Sequence, residues 1–130
     1  MNSKNAGFTL IELVLVIVIL GILSAVALPQ FINLRGDAQT AATNSVAGAI
    51  SSAMTVNYSA RLARNVAFGA TSAGTVPVDN CDDAATTLQG GLPANYTTTN
   101  ITALTTTGQL GTCTLTGPNS TTATFSIIGT

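Results

Sequence analysis

From Phe8 to Leu28 the chain runs twenty-one residues with a single charge, Glu12. A helix needs about 20 apolar residues to cross a bilayer core, so this run is long enough to span a membrane. A carboxylate at that depth costs about 2.5–3.5 kcal/mol on insertion scales, so it normally has a role or a partner. Ahead of the run stands a short polar leader, Met1 to Gly7, with one lysine, Lys4. A secretory signal places its cleavage site, marked by small residues, after the apolar region. Here the small residue, Gly7, comes before it. Cutting at that point keeps the apolar segment in the mature protein. Positive flanks stay cytoplasmic, so Lys4 places the chain beyond Pro29 on the far side of the membrane.

The segment Gly7-Phe8-Thr9-Leu10-Ile11-Glu12, followed by the apolar run and Pro29, resembles the N-terminus of type IV prepilins, of the type IVa class. The stretch Pro29 to Ala38 is similar, more narrowly, to major pilins of the mannose-sensitive haemagglutinin type. The resemblance covers roughly the first half of the chain. It implies that a prepilin peptidase of the inner membrane cuts between Gly7 and Phe8 and methylates the new amino group of Phe8. It implies that Glu12 supports methylation and subunit assembly. It also implies that the helix melts locally between Gly21 and Pro29 on polymerisation.

The residues allow two readings of Glu12. Thr9 to Glu12 fits a capping box, in which the threonine hydroxyl bonds the amide three residues on and the carboxylate reaches back. Alternatively, Glu12 meets the positively charged Phe8 amine of a neighbouring subunit. In a low-dielectric setting a misregistered neighbour leaves both charges unpaired, so the carboxylate acts as a register device.

One helix is expected from Thr9 to about Asn65. Its weak points are Gly21 and Pro29, where the missing proline amide frees the Ala25 carbonyl at a cost of about 3 kcal/mol, and a bend near Pro29 is expected. After Pro29 the pattern becomes one-sided. Phe31, Leu34, Ala38, Ala42, Val46, Ala49, Ile50, Ala53 and Met54 recur at spacings of three and four, which predicts the seam that packs on the head. Arg61 and Arg64 suit the negative end of the helix dipole. Residues Phe8 to Asn65 as continuous helix extend roughly 85 Å, a length that suits a polymer unit or an anchored stalk.

Beyond residue 66, a loop from Ala67 to Val78 is expected, with Gly69, Gly74 and Pro77. A short helix from Asp82 to Leu88 follows, with Asp79-Asn80-Cys81-Asp82-Asp83 as its cap; the three aspartates are alternatively a calcium loop, although the EF-hand glycine and bidentate glutamate are lacking. Strands are expected over Tyr96 to Leu104, Gly111 to Thr116 and Thr122 to Ile128, with Gly117-Pro118-Asn119-Ser120 as the turn between the last two. Cys113 and Leu115, and Ala123, Phe125 and Ile127, fall on one face, with threonines on the other. Cys81 and Cys113, in a chain with an export anchor, read as one disulfide formed outside the cytoplasm; two unpaired buried thiols are the alternative. Asn57-Tyr58-Ser59, Asn95-Tyr96-Thr97, Asn100-Ile101-Thr102 and Asn119-Ser120-Thr121 match an N-glycosylation pattern, which a threonine-rich chain also produces by chance.

The fold class expected is α+β, the pilin plan: a long N-terminal helix with a protruding apolar half, its C-terminal half packed on a small antiparallel sheet. The expected divisions are 1–7 leader, 8–29 transmembrane and filament-core helix, 30–65 amphipathic helix and 66–130 head. Only 7% of residues are charged and 5% aromatic, with a net charge of −1, so there is no basic face for nucleic acid. No histidine and one glutamate, with no nucleophile elbow, phosphate loop or metal-ligand spacing, argue against an enzyme, a metal or a cofactor. The function expected is that of a structural subunit, a major pilin, whose partners are identical copies, the prepilin peptidase and the pilus assembly machinery. Its location is the inner membrane as precursor, then a surface filament. The alternatives are a pseudopilin of a type II secretion system, a minor pilin, or a lone membrane-anchored binding module.

Overall fold

The computed structural model describes residues 7–99 and 103–130. The expected leader before Gly7, with Lys4, and the Asn100-Ile101-Thr102 triplet lie outside the described residues. The chain divides into two units, 1–37 and 38–130.

Helix α1 runs from Leu10 to Ala63. Its start is the capping box, and helical structure continues through Gly21 and Pro29. In the first unit the described large apolar side chains from Phe8 to Leu34 are all exposed, from 39% for Val14 to 84% for Phe8. Each gains about 1.5–3 kcal/mol on leaving water. The unit itself provides no apolar cover for them.

In the second unit α1 buries Thr43, Ala47, Ile50, Met54, Asn57 and Arg61, which recur every three or four residues. This corrects the seam read from hydropathy. Ile50 and Met54 belong to it and Val46 and Ala53 are half-buried, but Ala38, Ala42 and Ala49 are exposed, as are Phe31 and Leu34 in the first unit. Alanine is nearly indifferent to side. The face is decided by three polar side chains that find partners in the loops they cover.

Helix α2, Cys81–Thr86, starts where Asn80 accepts hydrogen bonds from the amides of Asp82 at 2.8 Å and Asp83 at 3.1 Å. It ends two residues before the expected Leu88. The Thr86 and Thr87 hydroxyls donate to the carbonyls of Asp83 and Ala84, competing with helix continuation.

The sheet has three antiparallel strands in the order β1 (Thr97–Thr99), β2 (Leu110–Thr116) and β3 (Thr122–Ile128). Cys113 pairs with Phe125 and Leu115 with Ala123. Those four side chains and Ile127 are buried with Ile50, Met54, Val78 and Ala84 in one core. Residues 118–120 make the turn, with Asn119 and Ser120 both at positive φ. Gly117 is required there: a Cβ would stand 2.6 Å from the Thr43 hydroxyl and 2.8 Å from the Tyr96 ring.

The first strand is shorter than expected. Leu104 lies outside it and donates its amide to the Asp79 carbonyl at 2.6 Å. The 67–78 segment is a loop, as expected, with one isolated bridge between Ser72 and Thr75.

Cys81 and Cys113 form a disulfide, with Cα atoms 5.8 Å apart, between the first residue of α2 and the central strand. Both cysteines are fully buried.

Candidate functional site

The N-terminal end of α1 gathers the residues that sequence reasoning singled out. Phe8 precedes the helix and is exposed. Glu12 Oε2 accepts from the Thr9 amide and from the Thr9 hydroxyl, both at 2.9 Å. The Glu12 amide donates back to the Thr9 hydroxyl at 3.4 Å. This is the reciprocal arrangement of a capping box, and it satisfies two otherwise orphaned amides. Only one carboxylate oxygen is occupied. Glu12 Oε1 makes no hydrogen bond with the described residues, so the second oxygen is open to a donor from another molecule. Capping and recruitment by a neighbour are therefore compatible.

Behind this carboxylate no ionisable side chain occurs until Arg35. The helix is long and apolar enough to cross a membrane. Gly21 and Pro29 bracket Ser24, whose hydroxyl donates to the Leu20 carbonyl at 2.7 Å. Back-bonding of this kind weakens and bends helices. Ser24 adds a third irregularity to the segment, one that composition alone does not mark.

The matching region is the same one. Residues 2–28 match the family model described as the prokaryotic N-terminal methylation motif. The chain carries the N-terminal motif of type IV pilins. Among its relatives is the type IV narrow pilus major component PilA5 of Thermus thermophilus, 47% identical over 53 residues, which are 41% of this chain and 46% of that one. The type IV major pilin protein PilA of Myxococcus xanthus is 56% identical over 34 residues, 26% of this chain and 16% of the relative. The type IV major pilin protein PilE1 of Neisseria gonorrhoeae is 47% identical over 58 residues, 45% and 35% of the two chains. The matches span less than half the length of each of these relatives. No solved structure matches the chain. The α+β architecture, a long N-terminal helix with an apolar first half and a small antiparallel sheet, is consistent with the pilin plan.

The head's other candidates have structural occupations. Asp82 Oδ1 accepts from the Thr98 hydroxyl, and Asp83 Oδ2 from the Asp79 amide at 3.3 Å. Burial holds the Asp83 carboxyl above the ordinary carboxylate range, and the neighbouring Asp79 charge adds to this against the amide bonds. Among the described residues no group of three acidic, histidine or cysteine side chains is placed to hold a metal.

Asn57, in the first glycosylation-type triplet, is buried. It donates to the Val76 carbonyl at 2.7 Å and accepts from the Val76 amide at 2.9 Å. It serves as a strand partner for a loop and is closed to sugar. Asn119 donates to the Gln39 side chain.

Sequence reasoning missed the roles of Asn57 and Arg61. The available signal was spacing: Asn57 stands seven residues beyond Ile50 and Arg61 seven beyond Met54, on the face those two define.

Proposed function

We propose that this chain is the major structural subunit of a type IV pilus. The precursor spans the inner membrane once, with Lys4 inside and the head outside. A prepilin peptidase cuts between Gly7 and Phe8 and methylates the Phe8 amine. The pilus assembly machinery then moves the apolar helix from lipid into a filament core built of identical helices. Glu12 Oε1 accepts from the Phe8 amine of a neighbouring copy, while Oε2 keeps the Thr9 cap. The weak segment between Gly21 and Pro29 yields as the helices pack. The division of labour follows the chain: 1–7 is removed, 8–29 anchors and polymerises, and 30–130 forms the amphipathic support and the outward head.

The observation that carries this reading is the half-used carboxylate at the head of an apolar run, Leu13 to Leu34, with no other charge and with its described large side chains exposed. A cap is served equally by glutamine, so capping does not by itself require the charge.

The test is Glu12→Gln in the host. Glutamine also serves in a capping box, so the cap survives and the charge is lost. The expected result is a cleaved, membrane-inserted chain with surface filaments strongly depleted by electron microscopy. Filaments at the normal yield overturn the register role. Replacing Gly7 with a bulky residue is expected to leave uncut precursor. Unaltered processing removes the pilin reading, and filaments confined to an envelope-spanning machine favour a pseudopilin.

A further inference from the structure

Of the described charged side chains, Arg35 and Asp37 are the two left without a partner in their own chain. Glu12 is bound by Thr9, Arg61 by the Ala67 and Ala70 carbonyls, and Arg64 by the Ala73 carbonyl. Asp79, Asp82 and Asp83 accept from the Asn80 side chain, the Thr98 hydroxyl and the Asp79 amide. Arg35 and Asp37 make no hydrogen bond or ion pair with the described residues, and both are exposed. They do not serve each other, because residues two apart on a helix do not face one another. At about 100° per residue, their side chains leave α1 about 160° apart.

Asp37 lines a groove of about 310 Å³ together with Gln30, Phe31 and Leu34. All four lie in the first unit and on one face of α1, at spacings of three, four and seven. Phe31 and Leu34 are both well exposed, so the groove offers apolar walls and one acid. The side chain that fits it has an apolar stem and a cationic tip. A guanidinium lies over aromatic rings and pairs with a carboxylate through two parallel hydrogen bonds. Among the described residues Arg35 is the one guanidinium left to supply this. Its place nearly opposite the groove directs it to the groove of another copy.

We propose that Arg35 of one copy seats in the Gln30-Phe31-Leu34-Asp37 groove of the next. Its stem lies on Leu34, and its guanidinium covers the Phe31 ring and pairs with the Asp37 carboxylate. This rests on the assembly of identical copies proposed for the chain, and adds a second register pair beyond the apolar run. The contact joins two different faces of one chain, so it does not close as a two-fold dimer; repeated with a rise, it grows as an open helical filament. The stagger of the two pairs agrees. Phe8 precedes Glu12 by four residues and Arg35 precedes Asp37 by two, so the cation is the N-terminal member of both. A copy raised by about 6 Å, to bring its Phe8 level with a neighbour's Glu12, carries its Arg35 about 3 Å past that neighbour's Asp37. An arginine stem spans that gap.

The test is made in the host with two reversals, Arg35→Glu and Asp37→Arg, expressed singly and together. Surface filaments are counted by electron microscopy and normalised to the cleaved chain in the membrane by immunoblot. Either reversal alone sets like charges against each other at every contact and should cut filaments by about tenfold or more. Expressed together, the two chains alternate, and each contact again joins a cation to an acid. Filaments containing both chains should return to within about twofold of the wild-type yield. Normal filaments from either reversal alone, or no recovery on co-expression, overturns the proposal while the pilin reading stands. Wild-type cells without filaments of this chain defeat the pilin reading and the proposal with it.

Discussion

The disulfide is the feature whose removal should cost the head most. The buried core has few large side chains: Ile50, Met54, Val78, Leu104, Leu115, Phe125 and Ile127, with small residues filling the rest. Small domains of this kind are marginal without a covalent staple. Cys81 and Cys113 are 32 residues apart in sequence. Freeing a loop of that length returns about 3.7 kcal/mol of chain freedom to the denatured state. Replacing both cysteines by alanine also removes two buried sulfurs, while residual denatured structure offsets part of the gain, so a net loss of about 3–5 kcal/mol is expected. Total stabilities of about 5–15 kcal/mol are usual, so this is a large fraction of what holds the head together. The assay is urea unfolding of the full chain in an uncharged detergent, followed by far-ultraviolet circular dichroism. With a slope of about 1.5 kcal/mol/M, the midpoint should fall by about 2–3 M. Reduced wild-type chain should fall similarly. A loss below about 1 kcal/mol refutes the idea that the staple supports a light core.

Three further outcomes concern the head. Asn57→Leu should cost about 1–3 kcal/mol, because the Val76 amide loses its partner and the Val76 carbonyl keeps only the Thr130 hydroxyl; urea midpoints and faster exchange of the Val76 amide check it. Gly117→Ala should cost about 1–3 kcal/mol from overpacking against Thr43 and Tyr96, and Thr43→Ala in the same chain should recover part of it, measured as non-additivity in a double-mutant cycle. Burial raises the Asp83 carboxyl, so the folded state holds its proton more tightly than the unfolded chain. That contribution is present in acid and lost as pH rises through the folded value. Asp83→Asn should therefore flatten the fall in urea midpoint as pH rises past the ordinary aspartate value of about 3.9; an unchanged slope refutes the assignment.

Much of the architecture was legible because its signals are local. Thr9 and Glu12 stand three residues apart and make the capping box that the spacing predicted. The alternation in 122–128 places Ala123, Phe125 and Ile127 inside, as period two requires. Pro118 and the Asn119–Ser120 pair turn the chain between the two long strands as expected. The limits lie where a polar side chain is buried by a distant partner. Hydropathy put Ala38, Ala42 and Ala49 on the seam and left out Thr43, Asn57 and Arg61. Their partners, the Thr121 hydroxyl, the Val76 backbone and the Ala67 and Ala70 carbonyls, lie in segments whose position no periodicity reveals.

The amino-acid order by itself determined the apolar span, the cap that begins it, the pilin-type motif and the alternating faces of the strands, since each depends on residues within a few positions of one another. Only the tertiary structure decided which stripe of α1 is buried, because burial of a polar group is favourable only once its partner is in place. It also decided that Glu12 keeps one oxygen open and that Arg61 is held by the Ala67 and Ala70 carbonyls.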